Sequence, residues 1–173
     1  MMGYGNTQKL DTGRRAFLLG RFSAQKVAEQ RPPWALSQRE FAVLCDGCAE
    51  CETACPENII SMSADGLAKV NFSAGECSFC GDCVASCTRG ALSDTSSAPW
   101  KIKAHIGSTC LAWQNIACRS CGELCATDAI SFHPVLGHGF LPQVDFDQCN
   151  GCGACYQVCP SQAISFQPHN RSE

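Results

Sequence analysis

Sixteen cysteines, set in four groups of four with none left over, constrain this 173-residue chain more than any other feature. The first group reads Cys45-x2-Cys48-x2-Cys51-x3-Cys55-Pro56. The second is Cys77-x2-Cys80-x2-Cys83-x3-Cys87, and the fourth is Cys149-x2-Cys152-x2-Cys155-x3-Cys159-Pro160. The third differs in its opening gap: Cys110-x7-Cys118-x2-Cys121-x3-Cys125. This is an internal repeat, and a repeat governs how everything around it is read.

A C-x2-C-x2-C-x3-C-P run is the bacterial ferredoxin ligand pattern. Three closely spaced thiolates on a tight loop cap three irons of one cubane. The fourth cysteine, one helical turn on, reaches the cluster of a partner group, so two groups interlock. Two other chemistries compete. Zinc is held by C-x2-C pairs from separated hairpins, four ligands per ion. A disulfide scaffold needs an oxidising compartment. Neither predicts four copies of a three-plus-one spacing. The spacing therefore predicts four [4Fe–4S] clusters, with Cys110 the least regular ligand because of its long loop. Glycines within the groups (Gly47, Gly81, Gly122, Gly151, Gly153) suit a backbone wrapped closely around a cluster, with amides free to point at sulfur.

The interlock assigns the ligands. The first cluster takes Cys45, Cys48, Cys51 and Cys87; the second takes Cys77, Cys80, Cys83 and Cys55. The third takes Cys110, Cys118, Cys121 and Cys159; the fourth takes Cys149, Cys152, Cys155 and Cys125. Pairing the second group with the third would strand the first and fourth.

Between the groups, apolar runs alternate with turn signals. Strands are expected at Phe41–Leu44, at Ile59–Met62 and Ala68–Phe72 around an Asp65-Gly66 turn, and at Ala91–Ser93. The pattern recurs with Ile130–Phe132 and Gln143–Phe146 flanking a loop over His133–Pro142, and Ala163–Phe166 closing the series. Short helical turns are expected between each third and fourth cysteine. The fold class is α+β: two tandem bacterial-ferredoxin-like, two-cluster modules over 40–95 and 105–168. A linker over 96–104 joins them and an N-terminal arm over 1–39 precedes them. Modules this small need a staple, which the clusters supply, so little stable structure is expected without iron.

Charge is uneven. Residues 1–44 hold seven Lys/Arg against three Asp/Glu, a net +4; the remainder holds six against thirteen, a net −7. A basic arm leads an acidic body, and no basic stripe marks the body, which argues for no nucleic acid partner. No apolar run approaches the roughly 20 residues that span a bilayer, so no stable membrane insertion is expected. There is no G-x-G-x-x-G and no Walker loop, hence no nucleotide or flavin site. The four histidines (105, 133, 138 and 169) lack ligand spacing and read as loop or surface residues. Asp46, Glu50, Glu52, Asp82 and Glu123 read as solvated surface; Phe79, Trp113 and Tyr156 either shield clusters or pack ordinarily. With no catalytic dyad or triad, the chemistry is one-electron transfer and the chain is not an enzyme. Nothing in the sequence fixes an oligomeric state.

Four segments carry a family resemblance: Arg14-Arg15-Ala16-Phe17-Leu18, Arg31-Pro32-Pro33-Trp34, Ile106-Gly107-x-x-Cys110-Leu111-Ala112-Trp113-Gln114, and Cys149-Asn150-Gly151-Cys152-Gly153-Ala154-Cys155. Over residues 11 to 167 the chain resembles the NapF family, ferredoxin-type accessory proteins of periplasmic nitrate reductase systems. The resemblance implies a cytoplasmic protein that binds the precursor of the nitrate reductase catalytic subunit. It further implies help in maturing that subunit before export, by electron transfer. The second and third groups depart from the pattern in lacking the following proline (Thr88, Ala126), which shapes a turn but ligates nothing. Arg14-Arg15-x-Phe17-Leu18 looks like the core of a twin-arginine signal. Charges at Arg21, Lys26 and Glu29 interrupt the stretch after Leu19, where an export signal carries an apolar run. The arm is therefore expected to stay and to offer Arg14, Arg15, Phe17 and Leu18 to a partner.

Overall fold

The computed structural model describes residues 29–169, so most of the arm, with Arg14, Arg15, Phe17 and Leu18, lies outside the described residues. The first helix, α1 (Gln38–Leu44), stands where a strand was expected. Its start is written in Ser37-x-x-Glu40: the Ser37 hydroxyl accepts from the Glu40 amide, and the Glu40 carboxylate accepts from the Ser37 amide. Of its apolar residues only Phe41 is buried, while Val43 is 78% exposed. The run Phe41–Leu44 thus follows helical rather than strand periodicity, and the capping box outweighs the β-propensity of one valine.

The first group comes next, with α2 (Glu50–Ala54) between its third and fourth cysteines. β1 (Ile60–Met62) and β2 (Ala68–Val70) then form the expected antiparallel hairpin, with Ser61 opposite Lys69. Around its turn, Gly66 donates to the Ser63 carbonyl and Ser63 to the Leu67 carbonyl. α3 (Asp82–Ala85) sits in the second group. The strand expected at 91–93 is reduced to a single bridge, Ala35 opposite Leu92. The partner is the Arg-Pro-Pro-Trp stretch: Leu36 donates to the Ala91 carbonyl at 3.1 Å, and Ser93 to the Trp34 carbonyl at 2.7 Å. Prolines 32 and 33 lack the N–H groups that a longer ladder would need. Residues 30–37, read as arm, are therefore part of this half. Arg31 fixes them further, donating to the Ala68 carbonyl and lying 5.5 Å over the Phe41 ring.

In the second half, β3 (Ile102–Ile106) pairs antiparallel with β6 (Ile164–Pro168) over five residue pairs. β3 begins inside the stretch read as a linker, because Ile102 and Ala104 alternate inward and are buried. His105 is accordingly a strand residue, its ring 5.1 Å from Phe146, and not a loop position. α4 (Ser120–Glu123) and α5 (Ala154–Gln157) complete the four turns expected between cysteines.

β4 (Ile130–Val135) and β5 (Gly139–Val144) pair over six positions and absorb the loop expected at 133–142. Pro134 and Pro142 are accommodated because both strands of a two-stranded sheet are edges. Leu136-Gly137-His138 is a tight turn, closed by the His138 amide donating to the Val135 carbonyl at 3.0 Å. Gly137 and Gly139, both at positive φ, supply the backbone such a turn needs.

One apolar cluster spans both halves, and two smaller ones lie within the second. Trp34, Phe41, Ile59, Phe72 and Leu92 of the first half are continuous with Ile102, against which Trp100, Tyr156 and Phe166 pack. The Phe72 ring lies 4.6 Å from that of Phe166 in β6. Trp34 also reaches the linker, its amide donating to Pro99 and its indole to Ser97.

Candidate metal centres

Three of the four ligand loops repeat one backbone recipe. In the first, second and fourth groups, two positions are forced to positive φ: Gly47 and Ala49, Phe79 and Gly81, Gly151 and Gly153. The position is fixed and the residue is not. Ala49 and Phe79 adopt the left-handed region at a cost of about 1–2 kcal/mol each, which is strain held at a site. Three residues beyond each fourth cysteine the chain is left-handed again, at Asn58, Gly90, Asp128 and Gln162.

These loops and helical turns bring the cysteines together as quartets drawn from two groups each. Cys45, Cys48, Cys51 and Cys87 line one cavity with Phe41 and Met62. Cys55, Cys77, Cys80 and Cys83 line a second with Trp34 and Phe79. Cys110, Cys118, Cys121 and Cys159 line a third with Leu111 and Phe132. The three are alike in size and in their four-cysteine lining, as suits one kind of occupant. Cys125, Cys149, Cys152 and Cys155 form the remaining set, near enough that each of Cys152 and Cys155 feels the charge of Cys125 and Cys149. α2 packs on α3, and α4 on α5, which is how the fourth cysteine of each group crosses to its partner.

The x7 stretch folds back on itself. A 3-10 turn over Ala112–Gln114 ends at Asn115 with φ +61°, and the Ile116 amide donates to the Leu111 carbonyl at 2.9 Å. Cys110 and Cys118 thereby reach the same cavity, and Cys110 is buried.

The donor set fits an iron–sulfur cluster better than a single ion. Among the described residues no three Cys, His, Asp or Glu converge closely enough to hold one metal. Zinc would need its sulfurs at about 2.3 Å from one centre; here the thiols stand apart around a shared space. Burial pushes Cys51, Cys77 and Cys121 up to about 11, and Cys83 and Cys155 up to about 12, with neighbouring cysteines adding to the rise. A buried group of thiols that resists deprotonation is stabilised as thiolate by bound metal.

Sulfur is also hydrogen-bonded. Cys125 accepts from the Ala129 amide at 3.3 Å and lies 3.6 Å from the Thr127 hydroxyl. Cys159 accepts from the Ala163 amide at 3.2 Å and lies 3.7 Å from the Ser161 hydroxyl. Of the aromatics read as possible shields, Phe79 lines the second cavity. Trp113 is 46% exposed, and Leu111 lines the third cavity instead. Tyr156 packs against Phe166. Sequence reasoning missed Phe41, Met62 and Trp34 as cavity walls; the helical spacing from Ser37 would have turned Phe41 inward. Asp46, read as surface, pairs with Arg89 at 2.7 Å.

Comparison with known proteins agrees with this chemistry. The 4Fe-4S dicluster domain family matches residues 44–91, and the 4Fe-4S binding domain family matches residues 142–165. The "Ferredoxin-type protein NapF" of Escherichia coli (strain K12) is 39% identical over 145 residues, 83% of this chain and 87% of that protein. Its namesake in Haemophilus influenzae is 37% identical over 148 residues, 80% and 84% of the two chains. With likeness of that depth running through nearly the whole length of both proteins, this iron–sulfur chain belongs to the NapF family of ferredoxin-type proteins.

Proposed function

We propose that the chain holds four [4Fe–4S] clusters, one in each quartet, and that each half is a two-cluster ferredoxin module. The ligands are Cys45, Cys48, Cys51 and Cys87; Cys77, Cys80, Cys83 and Cys55; Cys110, Cys118, Cys121 and Cys159; and Cys149, Cys152, Cys155 and Cys125. The observation that carries the reading is the crossing of the fourth cysteines, which builds every quartet from two groups. A bound cluster supplies reversible one-electron transfer. The protein's own groups do the rest. Thiolates fix the site, amides and hydroxyls at Cys125 and Cys159 offset sulfur charge, and Phe41, Phe79 and Leu111 restrict water.

The protein acts in the cytoplasm as an electron-transfer and assembly protein rather than an enzyme. It binds the precursor of the periplasmic nitrate reductase catalytic subunit and helps mature it before export by exchanging electrons with it. Kinship with NapF proteins supports this, as does the twin-arginine-like arm, in which Arg14, Arg15, Phe17 and Leu18 contact the precursor. No helix among the described residues is long and apolar enough to cross a membrane. The test is an anaerobic pull-down with iron-loaded bait, with and without residues 1–30, against the signal-bearing precursor and the mature enzyme. Selective capture of the precursor, lost on truncation, is the expected result. Equal capture of both forms would overturn the maturation role and leave a general electron carrier.

A further inference from the structure

The ligand loops of the two halves touch. The Cys77 amide, in the second group, donates to the Cys152 carbonyl, in the fourth, at 2.7 Å. Trp100 holds the same two loops. Its indole N–H donates to the Asn150 carbonyl at 3.0 Å, and its ring meets Phe79 edge-on at 5.8 Å. Phe79 lies between Cys77 and Cys80; Asn150 lies between Cys149 and Cys152. The fit is close. A Cβ on Gly151 would come within 2.8 Å of the Trp100 indole nitrogen, and one on Gly153 within 2.1 Å of the Phe72 ring.

We infer that Trp100 and the Cys77–Cys152 hydrogen bond lock the second and fourth quartets side by side across the seam. The two halves then form one relay running first, second, fourth, third quartet. This rests on the reading of the quartets as cluster sites. The connection is short: from the Cys77 sulfur along its own side chain to its amide, across one hydrogen bond to the Cys152 carbonyl, and on to the Cys152 sulfur. With clusters bound there, this connection would let one electron pass from a reduced second site to an oxidised fourth, with no bond made or broken and no proton moved. The electron enters from a one-electron reductant, dithionite in the test. Trp100 touches neither iron nor thiolate and is a positioning residue.

The experiment uses the full chain carrying Cys48→Ser and Cys118→Ser, loaded anaerobically so that only the second and fourth sites fill. After dithionite reduction, electron paramagnetic resonance should show one broadened spectrum from two interacting spins. Adding Trp100→Ala should relax it towards two independent signals at unchanged iron content, and Trp100→Phe, which keeps the ring contacts, should retain most of the broadening. Two independent signals before Trp100 is touched would overturn the seam. Iron below two clusters would instead count against the reading of those quartets. Hydrogen exchange at the Cys77 amide of the unaltered, iron-loaded protein then decides the seam: slow exchange, sped up about tenfold by Trp100→Ala, is expected, and exchange indifferent to Trp100 overturns it.

Discussion

The two halves repeat one ligand geometry on unequal scaffolds. In the first, three residue pairs of hairpin and one isolated bridge hold two quartets in place. In the second, five pairs join β3 to β6 and six join β4 to β5. The surplus gathers near the third quartet, where the x7 loop and the long hairpin leave Ile116 and Phe140 half exposed and Leu136 fully so. Arg119 of the ligand loop lies 4.5 Å over the Phe140 ring, tying hairpin to site. The ferredoxin ligand geometry therefore does not require a large sheet. What all four groups share is the crossing cysteine and the left-handed residue three positions beyond it, and sheet can be added without disturbing either.

The largest effect that separates the halves is metal removal. Chelating iron anaerobically should abolish protection of β1–β2 amides, whereas β3–β6 and β4–β5 keep a measurable part of theirs; hydrogen exchange with mass spectrometry reads both at once. Equal collapse would mean that the extra ladder contributes nothing by itself. Acid should not separate the halves. Raised thiols occur in each, Cys83 and Cys155 both near 12, so both hold protons throughout the neutral range when iron is absent. Iron must displace those protons, so loading is favoured as pH rises and opposed as it falls. Iron content followed between about pH 8 and about pH 5 should decline from both halves together.

A glycine pair gives the next contrast. Gly153→Ala meets Phe72 at a positive φ and should cost about 2–4 kcal/mol, strain plus overpacking. Gly66→Ala has the same backbone strain with nothing within 4 Å, and should cost about 1–2 kcal/mol. Thermal unfolding of the iron-loaded variants orders them. The smallest contrast is electronic. Two residues beyond the crossing cysteines, the second half has Thr127 and Ser161 with hydroxyls at sulfur; the first has Glu57 and Arg89. Hydrogen bonds to sulfur raise a cluster's potential. Redox titration should place the second half higher, and Thr127→Val with Ser161→Ala should lower it towards the first.

Much of the site was legible because cysteine spacing is a strong signal and the crossing rule is geometric. Three of the four quartets that the interlock assigns each line a common cavity, Cys110 with its three partners among them. The elements between them were less legible. Phe41–Leu44 satisfied a strand pattern by composition, yet Ser37 and Glu40 determined it as helix. The hairpin over 130–144 was cut short to strands at 130–132 and 143–146 around a loop over His133–Pro142, and only tertiary placement shows Pro134 and Pro142 paired on open edges. Trp34 entered only through the family resemblance and Trp100 not at all, since their meaning lies in partners far along the chain: Trp34 reaches Ser97, and Trp100 meets Phe72 and Asn150 from either half.

The attachment of Trp34 to Ser93, Ser97 and Pro99 has a consequence for biosynthesis. A chain leaves the ribosome from its N-terminus, and this one cannot seat Trp34 until residue 99 has emerged. Cys87, needed to close the first quartet, comes only shortly before. Iron delivered earlier would meet an open loop with three thiols and no fourth. Trp34 thus takes its seat only once the stretch that also carries Cys87 is available, so one end of the described chain depends on residues some sixty positions further on.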